Sequence, residues 1–403
     1  LWYSSPIPES VVWGCDRGIR TGCVLRAVTY PQGGEALPWE EELKKSITTI
    51  PKLKKYVELS PREEKQLRRI TERHPMQITR YYMSLINPHD PDDPIRKMAI
   101  PHVDELDLTG SYDPSGEMEN TKLPGLQHKY PRTALVLVTN RCAVYCRHCF
   151  RKRLVGLPSK EILRRFADAA AYIEEHKEIS NVLLSGGDPL ILRTKTIEKI
   201  LERLASIAHL NFVRIGTRVP VTFPMRIIDD TELVRVLRHY SRPNRRLFVT
   251  TQFNHEREIT DRAAQAISLL LRSGVPVNNQ TVLLRGVNDD PAALAKVQSN
   301  LVRIGINPYY VFQCRPVKRV RRHFTVPIAR SYEIVERAKA TLDGYSKRFK
   351  FVMSHRTGKM EIVGIMGDRV LFKYHEAKDR KNDGRIIQRT LTEEAAWLDE
   401  LLP

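Results

Sequence analysis

A parallel α/β fold preceded by an irregular, partly helical N-terminal region is predicted by three features of the sequence. Nearly continuous apolar runs of five to eight residues alternate with amphipathic, helix-length segments from Thr133 to about residue 342. Such runs mark strands covered on both faces, and parallel strands need crossovers of this length. No run approaches eighteen apolar residues, so no membrane-spanning helix is expected.

Taken in order, residues 1–38 mix Pro, Gly and two cysteines with little periodicity and read as an arm or irregular extension. A helical pattern runs from Glu41 to Asn87 and ends at INPHDPDDP, where Pro88, Pro91 and Pro94 make a loop. Residues 95–129 are polar, with turn signals at Thr109-Gly110 and Pro124-Gly125. TALVLVT (133–139) is the first buried strand, followed by a cysteine-bearing loop and a helix from Ser159, a candidate N-cap, to about Glu175. Strands at 181–185, 212–216, 247–253, 277–284 and 309–313 follow, separated by helices near 195–207, 229–239, 258–273 and 291–303. Asp290-Pro291 supplies a good N-cap and first helical position for the last of these. After a helix near 328–342, RFKFVM, KMEIVG and RVLFKY read as short strands of a smaller terminal region. Periodicity does not choose between an open sheet and a curled partial barrel. In either, the chemistry belongs at the carboxyl ends of the strands.

The 403 residues leave room for one barrel-sized domain with appendages. The balance of 66 basic against 47 acidic residues gives +19, which admits nucleic acid, phosphorylated cofactors or anionic substrates and selects none of them. The opening LWYSSPIPES lacks the pattern of a secretory signal, and a cytoplasmic protein is expected. Six cysteines in a chain this long do not make a disulfide scaffold.

Three of them, Cys142, Cys146 and Cys149, crowd into TNRCAVYCRHCFRKR after the first strand. A closed zinc site wants four ligands, and no fourth cysteine lies nearby in sequence. His148 sits between two cysteines, where folding back onto the same metal is awkward. Three thiolates can instead hold three irons of a cubane and leave the fourth open.

The C-x3-C-x2-C loop after the first strand of a β/α array resembles the radical S-adenosylmethionine (SAM) superfamily. The ordered segments YPRTALVLVTNRCAVYCRHCFRKR, LLSGGDPL, RIGTRVPVTFPMRI, TQFNHEREIT, NNQTVLLRGVND and PYYVFQC resemble its lysine 2,3-aminomutase family over roughly residues 45 to 365. The resemblance implies a partial (β/α)6 barrel with an N-terminal helical region and a small C-terminal α+β extension. It divides the chain into an N-terminal region (1–129), a radical SAM core (130–314) and a C-terminal region (315–403). It also implies a [4Fe-4S] cluster on Cys142, Cys146 and Cys149, SAM on the open iron, and pyridoxal 5′-phosphate (PLP).

Ser185, Gly186, Gly187 and Asp188 match the family's contact to the methionyl amine of SAM, and glycines there let backbone approach a ligand closely. Gln280 resembles a further SAM contact. Lys359, in HRTGK, stands where the family carries its PLP lysine after a glycine-rich stretch. An amine at a barrel mouth can attach to an aldehyde if burial keeps some of it unprotonated. Tyr130 resembles the tyrosine near the PLP ring. The family's arginine before the first strand falls on Thr133 by direct counting, with Arg132 one residue earlier as the candidate cofactor contact. Arg151, two residues after Cys149, resembles the arginine that clamps the substrate α-carboxylate.

One departure bears on substrate. The lysine enzyme has an aspartate after the cysteine of the YYxxQC strand and a second before the PLP lysine, which together hold the terminal ammonium. Here the first position is Arg315, and no Asp or Glu lies between Arg348 and Lys359. A like charge at 4 Å costs on the order of 4 kcal/mol at an effective dielectric near 20. A free lysine side chain is therefore disfavoured and a side-chain carboxylate favoured, with Ser354 or His355 as hydrogen-bonding helpers.

The expected activity is an isomerase moving the α-amino group of a free amino acid from C2 to C3, L-glutamate to β-glutamate. The alternatives are lysine 2,3-aminomutation of free or protein-bound lysine, a radical SAM enzyme modifying RNA, and a non-catalytic cluster-bearing regulator. A one-electron reductant such as flavodoxin or ferredoxin and a homo-oligomeric assembly are expected. A membrane is not, and nucleic acid is disfavoured because no RNA-binding fold is visible. No cysteine follows Cys314, so the family's C-terminal zinc site is not expected.

Overall fold

The computed structural model describes residues 39–402, and the expected N-terminal arm, with Cys15 and Cys23, lies outside them. Twelve strands form one sheet in chain order: β1 (Thr121–Leu123), β2 (Leu126–Tyr130), β3 (Thr133–Thr139), β4 (Asn181–Gly186), β5 (Phe212–Gly216), β6 (Arg246–Thr251), β7 (Val277–Leu283), β8 (Asn307–Gln313), β9 (Lys350–His355), β10 (Gly358–Met366), β11 (Arg369–Ala377) and β12 (Ile386–Thr390). Strands β3 to β9 pair in parallel, and the pairs outside that run are antiparallel. The fold is mixed α/β.

The apolar runs read from the sequence are β3 to β8. In β3, Ala134, Val136 and Leu137 are buried, and Val182, Leu184, Val213, Ile215, Leu247 and Val249 continue that layer. Helices Thr194–Ala205, Thr231–Tyr240, Asp261–Arg272 and Pro291–Arg303 form the crossovers. Asp290 caps the last by accepting from the N–H groups of Ala292 and Ala293, with Pro291 at the start. The first crossover helix begins later than expected, at Phe166 and not near Ser159. The Ser159 hydroxyl accepts from the Glu161 N–H and caps only a turn.

The C-terminal segments expected as a smaller region join the same sheet. Segment 348–353 falls largely on β9, a seventh parallel strand beside β8, and β10 to β12 extend the sheet by hairpins. Their inner face is a second core of Phe351, Met353, Met360, Phe372 and Trp397. The N-terminal helices bury Leu67, Ile70, Tyr82 and Met98 against the parallel strands.

The sheet curls until its sides face each other. Lys129, on β2, donates from Nζ to the His355 carbonyl of β9 at 2.5 Å and to the Ser115 carbonyl at 3.0 Å. Ser115 in turn donates to the Ser354 carbonyl. Enclosed at the carboxyl ends of the parallel strands is a cavity of about 350 Å³. Among the described residues, no helix is long and apolar enough to cross a membrane.

Candidate active site

The cysteine loop is held from behind by charges that neither apolar periodicity nor motif spacing reveals. Arg147, between Cys146 and His148, is 2% exposed and forks onto Glu105, which is fully buried, at 2.8 Å from Nε and 2.5 Å from Nη2. Lys152 reaches the same carboxylate at 2.7 Å and the Arg147 carbonyl at 2.9 Å. The two cations hold the Glu105 carboxyl down to about 2 against the penalty of burial, which pushes the Lys152 amine down to about 8. Backbone bonds from Tyr145 to Gln77 and from Arg147 to Met98 complete the seat.

On this loop Cys142, Cys146 and Cys149 are free thiols lining the cavity. Burial pushes the Cys149 thiol up to about 11 and raises Cys142 well above its ordinary range. Thiolates would be poorly solvated there without a metal to share their charge. Cys146 is the best compensated: Arg218 donates to its sulfur at 2.6 Å from Nη1 while Nη2 pairs with Glu258 at 2.5 Å. Cys314, at the end of β8, also lines the cavity.

The SGGD segment joins that loop through backbone. Gly187 N–H donates to Thr139 and Asp188 N–H to the Arg141 carbonyl at 2.7 Å. A Cβ on Gly187 would lie 2.2 Å from the Arg141 oxygen, so only glycine permits this approach. Asp188 is buried, which raises its carboxyl, and accepts from the Thr217 hydroxyl and the N–H groups of Arg218 and Leu190.

Arg151 is 5% exposed. It donates from Nε and Nη2 to Glu117 at 3.0 and 2.7 Å, and from Nη1 to the Ser185 hydroxyl at 2.8 Å and the Gly186 carbonyl at 3.4 Å. Glu117 also accepts from Arg153, and these cations hold its carboxyl down to about 2 against burial. With five N–H groups on a guanidinium, Arg151 keeps one Nη2 proton for a ligand. It can make a single-point contact and not a fork.

Arg315 stands differently. Its guanidinium lies 3.8 Å from the centre of the Phe150 ring, which Arg151 also approaches at 4.7 Å. Burial pushes it down to about 10. Its enclosed Nε has no hydrogen-bond partner, and the guanidinium makes no ion pair among the described residues.

Lys359 begins the outer wall. Its Nζ lies 3.5 Å from Glu376, 4.9 Å from the Tyr310 ring centre and 5.9 Å from that of Tyr130. Burial lowers its affinity for a proton and Glu376 opposes this. Arg214, near these rings, donates to Asn181 at 2.6 Å but has a buried Nε without a partner.

The cavity thus brings together Cys142, Cys146, Cys149, Ser185, Gly186, Gly187, Asp188, Gln280, Tyr130, Arg151, Arg315 and Lys359. Arg132 is not brought in: its side chain is exposed, and Thr133 lines the wall in its place. Ser354 lines the cavity, whereas His355 is tied to Asp399 at 3.0 Å. Sequence reasoning missed Glu117, Lys129, Arg214, Arg218 and Glu376. Arg214 and Arg218 sit inside the RIGTRVP segment, so that motif carried a signal for them. Glu117 and Glu376 had none at short range.

The family model described as the Radical SAM superfamily matches residues 136–297. L-lysine 2,3-aminomutase of Clostridium subterminale is 40% identical over 310 residues, covering 76% of this chain and 73% of that one. The chain belongs to the lysine 2,3-aminomutase family of radical SAM enzymes. The glutamate 2,3-aminomutase of Clostridioides difficile, another similar protein, is 36% identical over 308 residues, 75% of this chain and 71% of its own. A solved radical SAM methyltransferase from Sphaerobacter thermophilus aligns over 56% of this chain and 68% of its own at 15% identity and a TM-score of 0.36, too distant to bear on the site. Membership of the aminomutase family makes the chain an isomerase and implies a [4Fe-4S] cluster and SAM. A small-molecule substrate and a reductant are consistent with it.

Proposed function

We propose that the chain is a radical SAM, PLP-dependent 2,3-aminomutase that moves the amino group of L-glutamate, or a closely related acidic amino acid, from C2 to C3. The observation that carries the substrate class is Arg315, a guanidinium on the cavity wall with no carboxylate of its own. The wall as a whole supports it. Lys129, Arg151, Arg214, Arg218, Arg315 and Lys359 outnumber Glu117, Asp188 and Glu376. Of the three carboxylates, Glu117 is paired with Arg151 and Arg153, Glu376 faces Lys359, and Asp188 is held by Thr217 and backbone. None is left for a lysine ammonium.

Cys142, Cys146 and Cys149 would hold the cluster, and three half-buried free thiols on one wall fit that donor set. When bound, the cluster and SAM supply the hydrogen-abstracting radical. Lys359 would carry PLP, with the two tyrosine rings and the Arg214 guanidinium as further wall residues that could hold it. When bound, PLP supplies the π-system that a saturated amine lacks. The chain's own residues do the rest. Arg315 fixes the side-chain carboxylate, Arg151 touches the α-carboxylate, and Phe150 sets the spacing between the two guanidinium planes. Enclosure at the carboxyl ends of the strands keeps water from the reacting carbons.

The test is anaerobic reconstitution with iron, sulfide, SAM, PLP and dithionite, with kcat/KM measured for glutamate and lysine in wild type and Arg315→Asp. Wild type should convert glutamate and not lysine. The variant loses a charge-assisted contact and gains repulsion, together about 3 kcal/mol or more, so glutamate turnover should fall by at least about a hundredfold. A wild-type preference for lysine, or full glutamate activity in Arg315→Asp, refutes the acidic-substrate reading.

A further inference from the structure

Strands β10 and β11 run antiparallel, and Lys359 and Glu376 are direct partners across them. Both side chains line the cavity, and the register shifts by a bulge immediately after Lys359. Gly358 lies against the partner strand so closely that a Cβ there would meet the Glu376 carbonyl oxygen at 2.6 Å. The glycine therefore sets how near the two strands, and hence the amine and the carboxylate, can come. From these placements we infer that Glu376 is a positioning residue that favours the ammonium form of the displaced Lys359 amine while the substrate amine holds the cofactor, so that the lysine competes less for it. This rests on reading Lys359 as the PLP-bearing residue.

An enzyme that anchors a cofactor aldehyde on a lysine must release that lysine when the substrate amine takes its place. A free neutral amine left within reach is a competing nucleophile, and a protonated one is not. The cations facing Lys359 work against its protonation. Arg214 from β5 and Arg315 beyond β8 are cations, and each disfavours a second positive charge nearby. Tyr130 from β2 and Tyr310 from β8 keep neutral phenols because burial raises both, and their ring faces add only a weak attraction for an ammonium. His375, next to Glu376, is lowered by burial and by Lys359, and meets the Tyr310 hydroxyl at 2.8 Å. Glu376 is the anion facing Lys359 that favours the ammonium.

The experiment titrates Lys359 itself in the full chain stripped of PLP. Competitive acetylation with acetic anhydride across pH 6–11, read by mass spectrometry of the Lys359 peptide, gives the midpoint of the amine. In Glu376→Gln the midpoint should fall by about one pH unit or more, because the carboxylate no longer supports the charged form. Glu376→Asp should restore most of it, which a merely structural role for Glu376 would not do. A midpoint that stays within about 0.3 unit of wild type in Glu376→Gln, or rises, overturns the inference. Borohydride mapping of the PLP-loaded chain separates the two readings. A label on another lysine overturns the cofactor assignment and the purpose given to the pair. A label on Lys359 with an unmoved titration overturns the role of Glu376 alone.

Discussion

Glu105→Gln is the sharpest probe of how the cysteine loop is held, because it removes one charge and almost no volume. Glu105, Arg147 and Lys152 are 0%, 2% and 5% exposed, and the carboxylate is the shared anion of two buried cations. Two routes give the cost. Breaking a buried ion pair by neutralising one partner destabilises by about 3–5 kcal/mol. A carboxyl held at about 2 in place of its ordinary 4.5 corresponds to about 3 kcal/mol at neutral pH. The urea midpoint of the metal-free chain at unchanged m-value should therefore fall by the equivalent of about 3 kcal/mol at pH 7. Lys152, freed of its anion, should shed its proton in the folded state near neutrality. A lysine depressed in the folded state adds stability as pH rises, so the deficit should shrink by about 1 kcal/mol between pH 7 and 9. Adding Lys152→Met should recover part of the loss, since the charge left unpaired is removed with it. A Glu105→Gln midpoint equivalent to less than about 1 kcal/mol of change would refute the claim that this triad fixes the loop.

Three further outcomes follow from the same geometry. Replacing Cys142, Cys146 or Cys149 with Ala should abolish the [4Fe-4S] complement and reductive SAM cleavage, while Cys314→Ala keeps both, as iron analysis and electron paramagnetic resonance will report. Glu105 and Glu117 are each held at about 2; their contribution is complete above pH 4.5 and lost as pH falls from there toward 2, by about 3 kcal/mol each. Urea midpoints across that range should show the decline, and its absence in Glu117→Gln relative to wild type identifies the Glu117 share. Gly358→Ala should displace β10 from β11 and lower borohydride labelling of Lys359 several-fold at unchanged iron content.

The parts of the fold that could be read in advance share one property: their signal lies within a few residues. The strands β3 to β8 are written as apolar runs, and Asp290-Pro291 announces its helix. The helix after the cysteine loop misleads because Ser159, a residue suited to capping, satisfies a single turn seven residues before the helix starts. The site divides in the same way. The three cysteines and SGGD are local motifs, whereas Glu117 meets Arg151 across 34 residues and Glu105 meets Arg147 across 42. Pairings of that kind leave no period in the chain, and residues 95–129 looked featureless for that reason. Arg132 failed by one position because it sits in the exposed turn between β2 and β3, and the strand that enters the cavity wall begins only at Thr133.

The contact of Lys129 with the rim of β9 gives the enclosure an unequal strength around its circumference. Over most of the perimeter, neighbouring strands are stitched by continuous backbone ladders that part only with the fold itself. Between β2 and β9 the seam is the Lys129 ammonium on the His355 carbonyl, with Ser115 bridging the same lysine to the Ser354 carbonyl. Hydrogen bonds of these kinds are worth about 0.5–3 kcal/mol each, the upper end belonging to the charged donor. A seam of that strength parts more readily than the laddered stretches of the perimeter, and it lies beside β3, the strand whose end carries the cysteine loop.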